Sequence, residues 1–396
     1  MIKKYDYLII GAGIVGISIA LELHKKNPKL KIGIIDKESE IAFHSSGRNS
    51  GVLHAGFYYT ADSLKAKFTK AGNQYLKEYC LSKNLRILHC GKLVITKSEE
   101  DLISLDELFF RAKSNQVELH ELSELEAKKI EPRVKTFQRA AWSPSTSTVD
   151  PIEVMRSLLQ VCVANGIEVH FNTQYLKTKN NIVLTNHDRY SAGFVINAAG
   201  LYADKIAKDF GFSKDYRILP FKGLYLYSSE PKNSFKAHIY PVPNLKNPFL
   251  GVHHTLTVDG ISKIGPTAIP AFWREQYSGL SRFKFSEILR IVADEANLFF
   301  AGGFDFRSLA LEELKKYNRE HLVHEASTMA EAVHVKNYKK WGKPGIRAQL
   351  FNIHTKKLEM DFKYEGDQRS IHILNAISPA FTCSQPFAEF ITGQIL

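Results

Sequence analysis

Tyr5-Asp6-Tyr7-Leu8-Ile9-Ile10-Gly11-Ala12-Gly13-Ile14-Val15-Gly16 reads as a short buried strand running into a G-x-G-x-x-G turn. The apolar residues Ile17, Ile19, Ala20, Leu21 and Leu23 continue as a helix, and Asn27-Pro28 ends it. Leu30 to Ile35 is a second strand, closed by Asp36, 20 residues beyond Gly16. That is the spacing of a βαβ unit that holds a dinucleotide. Gly11 permits the tight turn, Gly13 lets backbone approach a pyrophosphate, and Gly16 lets the helix pack on the strand. The opening N–H groups of the helix, at Ile14 and Val15, offer a partial positive charge to phosphate. Asp36 can accept the ribose hydroxyls, with Lys37 beside it. The charge at Asp6, the charge at Glu22 and the three glycines argue against a signal peptide at Lys3-Lys4 and Leu8–Leu23.

The chain has 396 residues, more than one core accommodates, so two domains are expected. Hydrophobic residues are 44% and charged residues 24%, which excludes a disordered or fibrous chain. The net charge is +12, but Lys and Arg occur at most in pairs, as at Lys25-Lys26 and Lys339-Lys340. Scattered charge of this kind argues against nucleic acid and for an anionic substrate or a cationic surface. Cys80, Cys90, Cys162 and Cys383 form no CxxC pair, and no metal-binding His spacing accompanies them. A reduced, cytoplasmic protein with no metal is expected.

Ile41 to Tyr59 is rich in Ser, Gly and His, and it is not helix-periodic. A loop this long can wrap the second half of a large cofactor. Its Ser-Ser-Gly-Arg-Asn-Ser-Gly-Val-Leu-His-Ala-Gly-Phe-Tyr-Tyr, with Ile196-Asn197-Ala198-Ala199-Gly200-Leu201-Tyr202-Ala203-Asp204, resembles the FAD-dependent D-amino-acid oxidase-like superfamily. Within it, three segments resemble the L-2-hydroxyglutarate oxidase/dehydrogenase family. They are Asn49–Gly56, Pro248-Phe249-Leu250-Gly251-Val252-His253 and Gly345-Ile346-Arg347-Ala348-Gln349. The resemblance implies noncovalent FAD, touched by Ser45, Ser46, Arg48, Asn49, Ser50, Ala199, Gly200, Pro379, Ala380 and Thr382 as well as by the first motif.

The expected class is α/β: a Rossmann-like FAD-binding domain with an inserted α+β substrate domain on a mixed or antiparallel sheet. Residues 1–85, 148–211 and 335–396 are assigned to the FAD-binding domain, and 86–147 and 212–334 to the substrate domain. Asp150-Pro151 is read as a helix start reaching about Asn165. Strands are expected at Gly91–Thr96, Leu219–Ser228 and Leu250–Thr257, helices at Glu99–Asn115 and Phe285–Phe300, and a loop over 229–249.

The resemblance places Arg347 at the substrate cavity, where a guanidinium fork suits a carboxylate. His54 and His253 are the two candidate bases, because a neutral imidazole can take a hydroxyl proton near pH 7. His253 is slightly favoured, with His54 positioning substrate or tuning the flavin. His254 should point away from His253, since successive strand residues face opposite sides. Lys222, Tyr58 and Arg48 are candidate substrate contacts. Lys222 stands where the family often has Arg, and Arg48 where its best-known members have His. The implied reaction is oxidation of an L-2-hydroxy acid, L-2-hydroxyglutarate foremost, by hydride transfer to flavin N5. A glycine, sarcosine or D-amino-acid oxidase and a non-catalytic electron carrier share the fold and remain open. Oxygen or a membrane quinone is the expected electron acceptor. The positive surface suits loose peripheral attachment to the inner face of an anionic membrane.

Overall fold

Strand β1 (Ile2–Ile10), helix α1 (Ile14–Lys26) and strand β2 (Ile32–Ile35) form where the Gly-rich motif requires them. The computed structural model describes residues 2–244, 250–301 and 306–396. The chain divides into two compact units. The first is Met1–Asn49, Pro151–Pro220 and Arg347–Leu396; the second is Ser50–Asp150 and Phe221–Ile346.

In the first unit β1 lies parallel to β2 on one side and to Arg189–Asn197 on the other. Glu168–His170 extends this parallel sheet beyond β2, and Ser370–Asn375 pairs with Arg189–Asn197. Leu8, Ile9 and Ile10 are all buried, as central parallel strands covered on both faces require. Helix Pro151–Ala164 begins with Pro at its first position, as expected. The C-terminal helix Ser384–Thr392 is tied to α1 by Gln385 Nε2, which donates to the buried Glu22 carboxylate at 2.8 Å.

The second unit carries an eight-stranded sheet. Its order is Tyr338–Trp341, Leu226–Ser228, Ser262–Gly265, His253–Leu256, His238–Pro241, Lys92–Ile95, Arg139–Ser143, His120–Ser123. The pairing of His238–Pro241 with Lys92–Ile95 is parallel and its neighbours are antiparallel, so the sheet is mixed. One face turns Leu93, Ile95, Leu226, Ile239, Leu256 and Ile264 onto Leu322, Val323 and Ala326 of helix Arg319–Ser327. The expected class is therefore the observed one: a Rossmann-like sheet that is parallel at its centre and carries antiparallel strands at its margins, and a second unit on a mixed sheet.

Four expectations need correction. Residues 50–85, assigned by sequence to the FAD-binding domain, belong to the second unit: Val52–Leu53 pairs with Ser147–Val149, as does Ile87–Leu88. The remaining boundaries, expected at 148, 212 and 335, fall at Pro151, Phe221 and Arg347. The expected strand Leu219–Ser228 is two strands, Tyr216–Gly223 and Leu226–Ser228. The expected loop 229–249 contains the strand His238–Pro241, recruited by pairing along Lys92–Ile95. Residues 245–249, including Pro248 and Phe249, lie outside the described residues. Among the described residues no helix is long and apolar enough to cross a membrane.

Helix Leu64–Ser82 starts at Ser63, whose Oγ accepts the Ala66 N–H at 3.1 Å. Its buried Asn73 donates Nδ2 to the carbonyls of Leu53 (2.9 Å), His54 (3.1 Å) and Ser145 (3.2 Å). One amide thus fixes the backbone that carries His54. Asn73→Ala would leave buried carbonyls without a donor, a loss of about 1–3 kcal/mol. The thermal midpoint should fall by about 2–4 °C per kcal/mol, measured by calorimetry. An unchanged midpoint would show that the three carbonyls find other donors.

Candidate functional site

In the first unit the Gly-rich turn is sterically closed to side chains. Gly11 has φ +111°, and a Cβ there would meet the Ala198 carbonyl oxygen at 2.5 Å. A Cβ on Gly16 would lie 2.0 Å from the Gly11 carbonyl oxygen, so α1 packs on the turn only through hydrogen. At Gly13 the nearest atom to a Cβ would be Ser46 Oγ, at 3.2 Å. Gly13 itself offers no side-chain cap, and the first turn of α1 has no acid. These features leave the positive end of the helix suited to phosphate.

Two sequence expectations change in detail. Asp36 accepts the Ala12 N–H at 2.8 Å and the Glu38 N–H at 2.9 Å. It braces the turn with two of about four lone-pair positions, and the others can still take ribose hydroxyls. Ser46 Oγ accepts the Ile14 N–H at 2.9 Å, so this loop serine caps α1 from a distance. Asn49 Nδ2 binds the Ser45 and Ser46 carbonyls at 3.1 and 3.0 Å. Arg48 donates Nε to the Phe43 carbonyl at 2.6 Å and lies over the Phe43 ring, engaged within its own loop. Lys37 pairs with Glu38 and lies over Tyr202.

Ala198-Ala199-Gly200 sits against Gly11, and Gly200 takes φ +52° where the chain enters a short 3-10 turn. Pro379, Ala380 and Thr382 are buried in the turn leading into Ser384–Thr392, where the Pro379 carbonyl accepts the Cys383 N–H. Arg347 is half-buried on strand Gly345–Asn352. The steric closure at Gly11 and Gly16, the helix N-terminus with no acid in its first turn and the acid at Asp36 together fit the pyrophosphate and ribose of FAD.

The second unit gathers His54 and His253 on the polar face of its sheet. Lys92, His238, Tyr240, His253, Thr255 and Lys263 share this face by strand alternation and register. His253 Nδ1–H donates to the Gly251 carbonyl at 2.8 Å, which leaves Nε2 with its lone pair. Its ring stacks on Tyr240, with centroids 3.7 Å apart and planes at 21°. Burial pushes the His253 pKa down to about 3. His54 is also held well below the usual imidazole range, by burial first and then by the charges of Lys92, His253 and His238. His238 is a neutral Nε2–H tautomer: Nδ1 accepts the Leu256 N–H at 3.0 Å, and Nε2 lies 2.9 Å from Thr148 Oγ1. His254 faces the other way, donating Nε2–H to the Ala326 carbonyl at 3.0 Å and stacking on Phe235.

Two lysines complete this face. Lys92 has 0% exposure, and its Nζ lies 4.1 Å from the centre of the Tyr240 ring. Nζ has no hydrogen-bond partner among the described residues. Burial brings its pKa down to about 7. Lys263 Nζ donates to the Ser50 carbonyl at 3.1 Å, and burial lowers its pKa to about 8. Tyr58 is buried, its hydroxyl unpaired among the described residues, and Lys92 lies 5.2 Å from its ring centre. Lys222 is buried on a separate strand pair opposite Ile269, and desolvation lowers its pKa. The sequence reading missed Lys92, His238 and Tyr240. The signal for Lys92 was present: one charge at the head of the apolar run Lys92-Leu93-Val94-Ile95.

The chain resembles known proteins along nearly its whole length. A model of the FAD dependent oxidoreductase family matches residues 6–313. L-2-hydroxyglutarate dehydrogenase of Escherichia coli (strain K12) is 32% identical over 408 residues, covering 99% of this chain and 93% of that protein. The mitochondrial L-2-hydroxyglutarate dehydrogenase of Homo sapiens is 32% identical over 423 residues, covering 99% and 89%. Among solved structures, FAD-bound L-alpha-glycerophosphate oxidase from Mycoplasma pneumoniae has a TM-score of 0.77 at 21% identity, covering 98% of this chain and 94% of that one. Glycine oxidase from Geobacillus kaustophilus has a TM-score of 0.72 at 14% identity, covering 98% and 94%. These two share the fold. The cradle that excludes side chains at Gly11 and Gly16, and a family match spanning both units, lead to one conclusion: this chain belongs to the FAD dependent oxidoreductase family and is an FAD-dependent oxidoreductase.

Proposed function

We propose that the protein oxidises an L-2-hydroxy acid, L-2-hydroxyglutarate foremost, to the 2-oxo acid. The observation that carries this reading is His253: its Nδ1–H is committed to the Gly251 carbonyl, so Nε2 is set to receive a proton. The relatives named above, at 32% identity, are L-2-hydroxyglutarate dehydrogenases and support the same substrate. Lys92 and Lys263, buried on the same face, favour an anionic substrate.

Bound noncovalently, FAD supplies an acceptor at N5 for the hydride leaving C2 of the substrate. Nε2 of His253 takes the hydroxyl proton as the C2–O bond becomes a carbonyl. Burial keeps this imidazole neutral but makes the imidazolium costly. A dianionic substrate beside it offsets that cost. His54 positions substrate or tunes the flavin, and Arg347 holds a substrate carboxylate through its fork. Tyr58 is assigned to the substrate as well, with Lys222 and Arg48, which stand where the family pattern carries other residues. The electrons pass on to oxygen or a membrane quinone, and the +12 charge suits peripheral attachment to an anionic membrane.

The purified protein should be yellow, and anaerobic L-2-hydroxyglutarate should bleach its flavin absorbance. Bleaching by glycine, sarcosine or D-amino acids instead would replace this reading with an amine oxidase. No bleaching by either class would leave an electron carrier.

His253→Ala should lower the rate of flavin reduction by about 10²–10⁴-fold while retaining flavin. An exposed histidine would give the wild-type enzyme a step near pH 6.5. With its pKa at about 3, His253 is already neutral there and should give none. An ionisation near pH 7 belongs to Lys92 and should vanish in Lys92→Met, while one near pH 8 belongs to Lys263 and should survive it. A full-speed His253→Ala enzyme would pass the role to His54.

Arg347→Lys keeps the charge but loses the two-pronged grip. It should retain flavin and lose about 10²-fold in kcat/KM, the usual penalty for a misplaced substrate. Unchanged kinetics in this variant would place the carboxylate elsewhere.

A further inference from the structure

One helix of the second unit is inside out for a protein surface. Helix Phe285–Ala301 buries Glu287, Ile291, Asp294 and Leu298 on one side. On the other it exposes Phe285 (69%), Leu289 (72%), Val292 (41%) and Phe300 (70%). Steps of four, three and eight residues keep these four on one stripe. The inward acid is engaged: the Glu287 carboxylate accepts the Arg274 N–H at 3.0 Å.

The loop before the helix adds to the same display. Phe272, Leu280 and Phe283 are 50%, 76% and 50% exposed. This loop is held in place. Trp273 packs edge-on to Phe283 and donates Nε1–H to the Ser281 carbonyl at 2.9 Å, and Arg282 pairs with Glu275. The apolar side chains are therefore presented by structured backbone.

Charge decides what such a surface is for. Among the described residues from 272 to 301, the exposed charged side chains are Arg282, Lys284 and Arg290, all basic. Glu275, Glu287 and Asp294 are buried, and Glu295 is half-buried. An exposed apolar stripe whose own helix and preceding loop expose only basic charges among the described residues, on a chain of net charge +12, is the pattern of a helix lying in a lipid interface.

We infer that helix Phe285–Ala301 and the loop before it form a docking face for an anionic lipid bilayer. Phe285, Leu289, Val292 and Phe300 enter the acyl boundary, and Lys284 and Arg290 meet the headgroups. This rests on the reading of peripheral attachment given above and names the surface responsible.

The test uses the flavin-loaded protein and sedimentation with vesicles. One set is phosphatidylcholine alone, and the other contains about a third phosphatidylglycerol. The wild-type protein should bind the anionic vesicles, and binding should weaken in high salt. The triple variant Phe285→Ser, Leu289→Ser, Phe300→Ser should lose at least about 100-fold in partitioning. Arg290→Ala should lose about fivefold, on anionic vesicles only. Both variants should keep their flavin and its bleaching by substrate. Wild-type binding that survives in the triple variant would overturn this surface while leaving peripheral attachment intact. Absence of wild-type binding to either vesicle would overturn both. A wild-type dimer that becomes monomeric in the triple variant, without vesicle binding, would assign the face to a second copy of the chain.

Discussion

The pleat of one mixed sheet sorts the chemistry of the second unit. Successive residues face opposite sides, so Lys92 and Leu93, His238 and Ile239, and His253 and His254 are divided between two environments. Leu93, Ile239 and Ile264 pack on helix Arg319–Ser327, and His254 joins them with its Nε2–H satisfied by the Ala326 carbonyl. The other face collects Lys92, His238, Tyr240, His253 and Lys263. A slip of one residue in Lys92–Ile95 or in Ser262–Gly265 would exchange that strand's two sets and put a lysine into the apolar core.

Holding so many titratable groups out of water has a cost that the structure meets in different ways. His238 and His253 are fixed as neutral tautomers by backbone partners. Lys263 donates to the Ser50 carbonyl. Lys92 has the face of the Tyr240 ring, an attraction of about 2 kcal/mol when desolvated. An unpaired buried ammonium of this kind is far more costly than a surface one, and such perturbed groups concentrate at functional sites. The Asn73 amide belongs to the same economy, since it holds the His54 backbone without adding charge.

The first unit depends on exclusion more than on attraction. The helix α1 reaches the turn because Gly16 has no side chain, and the Ala198–Gly200 turn reaches it because Gly11 has none. Asp36 and Ser46 then brace the turn through its own N–H groups. The cradle is thus rigid before any ligand arrives, which lowers the entropy lost on binding.

The sequence by itself determined the βαβ unit, the dinucleotide and the two-domain plan. These rest on local signals: glycines at fixed offsets, an acid at the end of a strand, and alternation within a strand. It also determined that His253 and His254 diverge, because that follows from backbone geometry alone. Only the tertiary structure decided that residues 50–85 join the second unit, since a two-residue strand such as Val52–Leu53 finds its partners far along the chain, Val52 at Thr148 and Leu53 at Ser147. Only tertiary pairing recruited His238–Pro241 from a Pro- and Asn-rich stretch onto Lys92–Ile95, and so brought His238, Tyr240 and Lys92 beside the two histidines. The pKa values followed from that assembly, because desolvation depends on everything packed around a group and not on its neighbours in sequence.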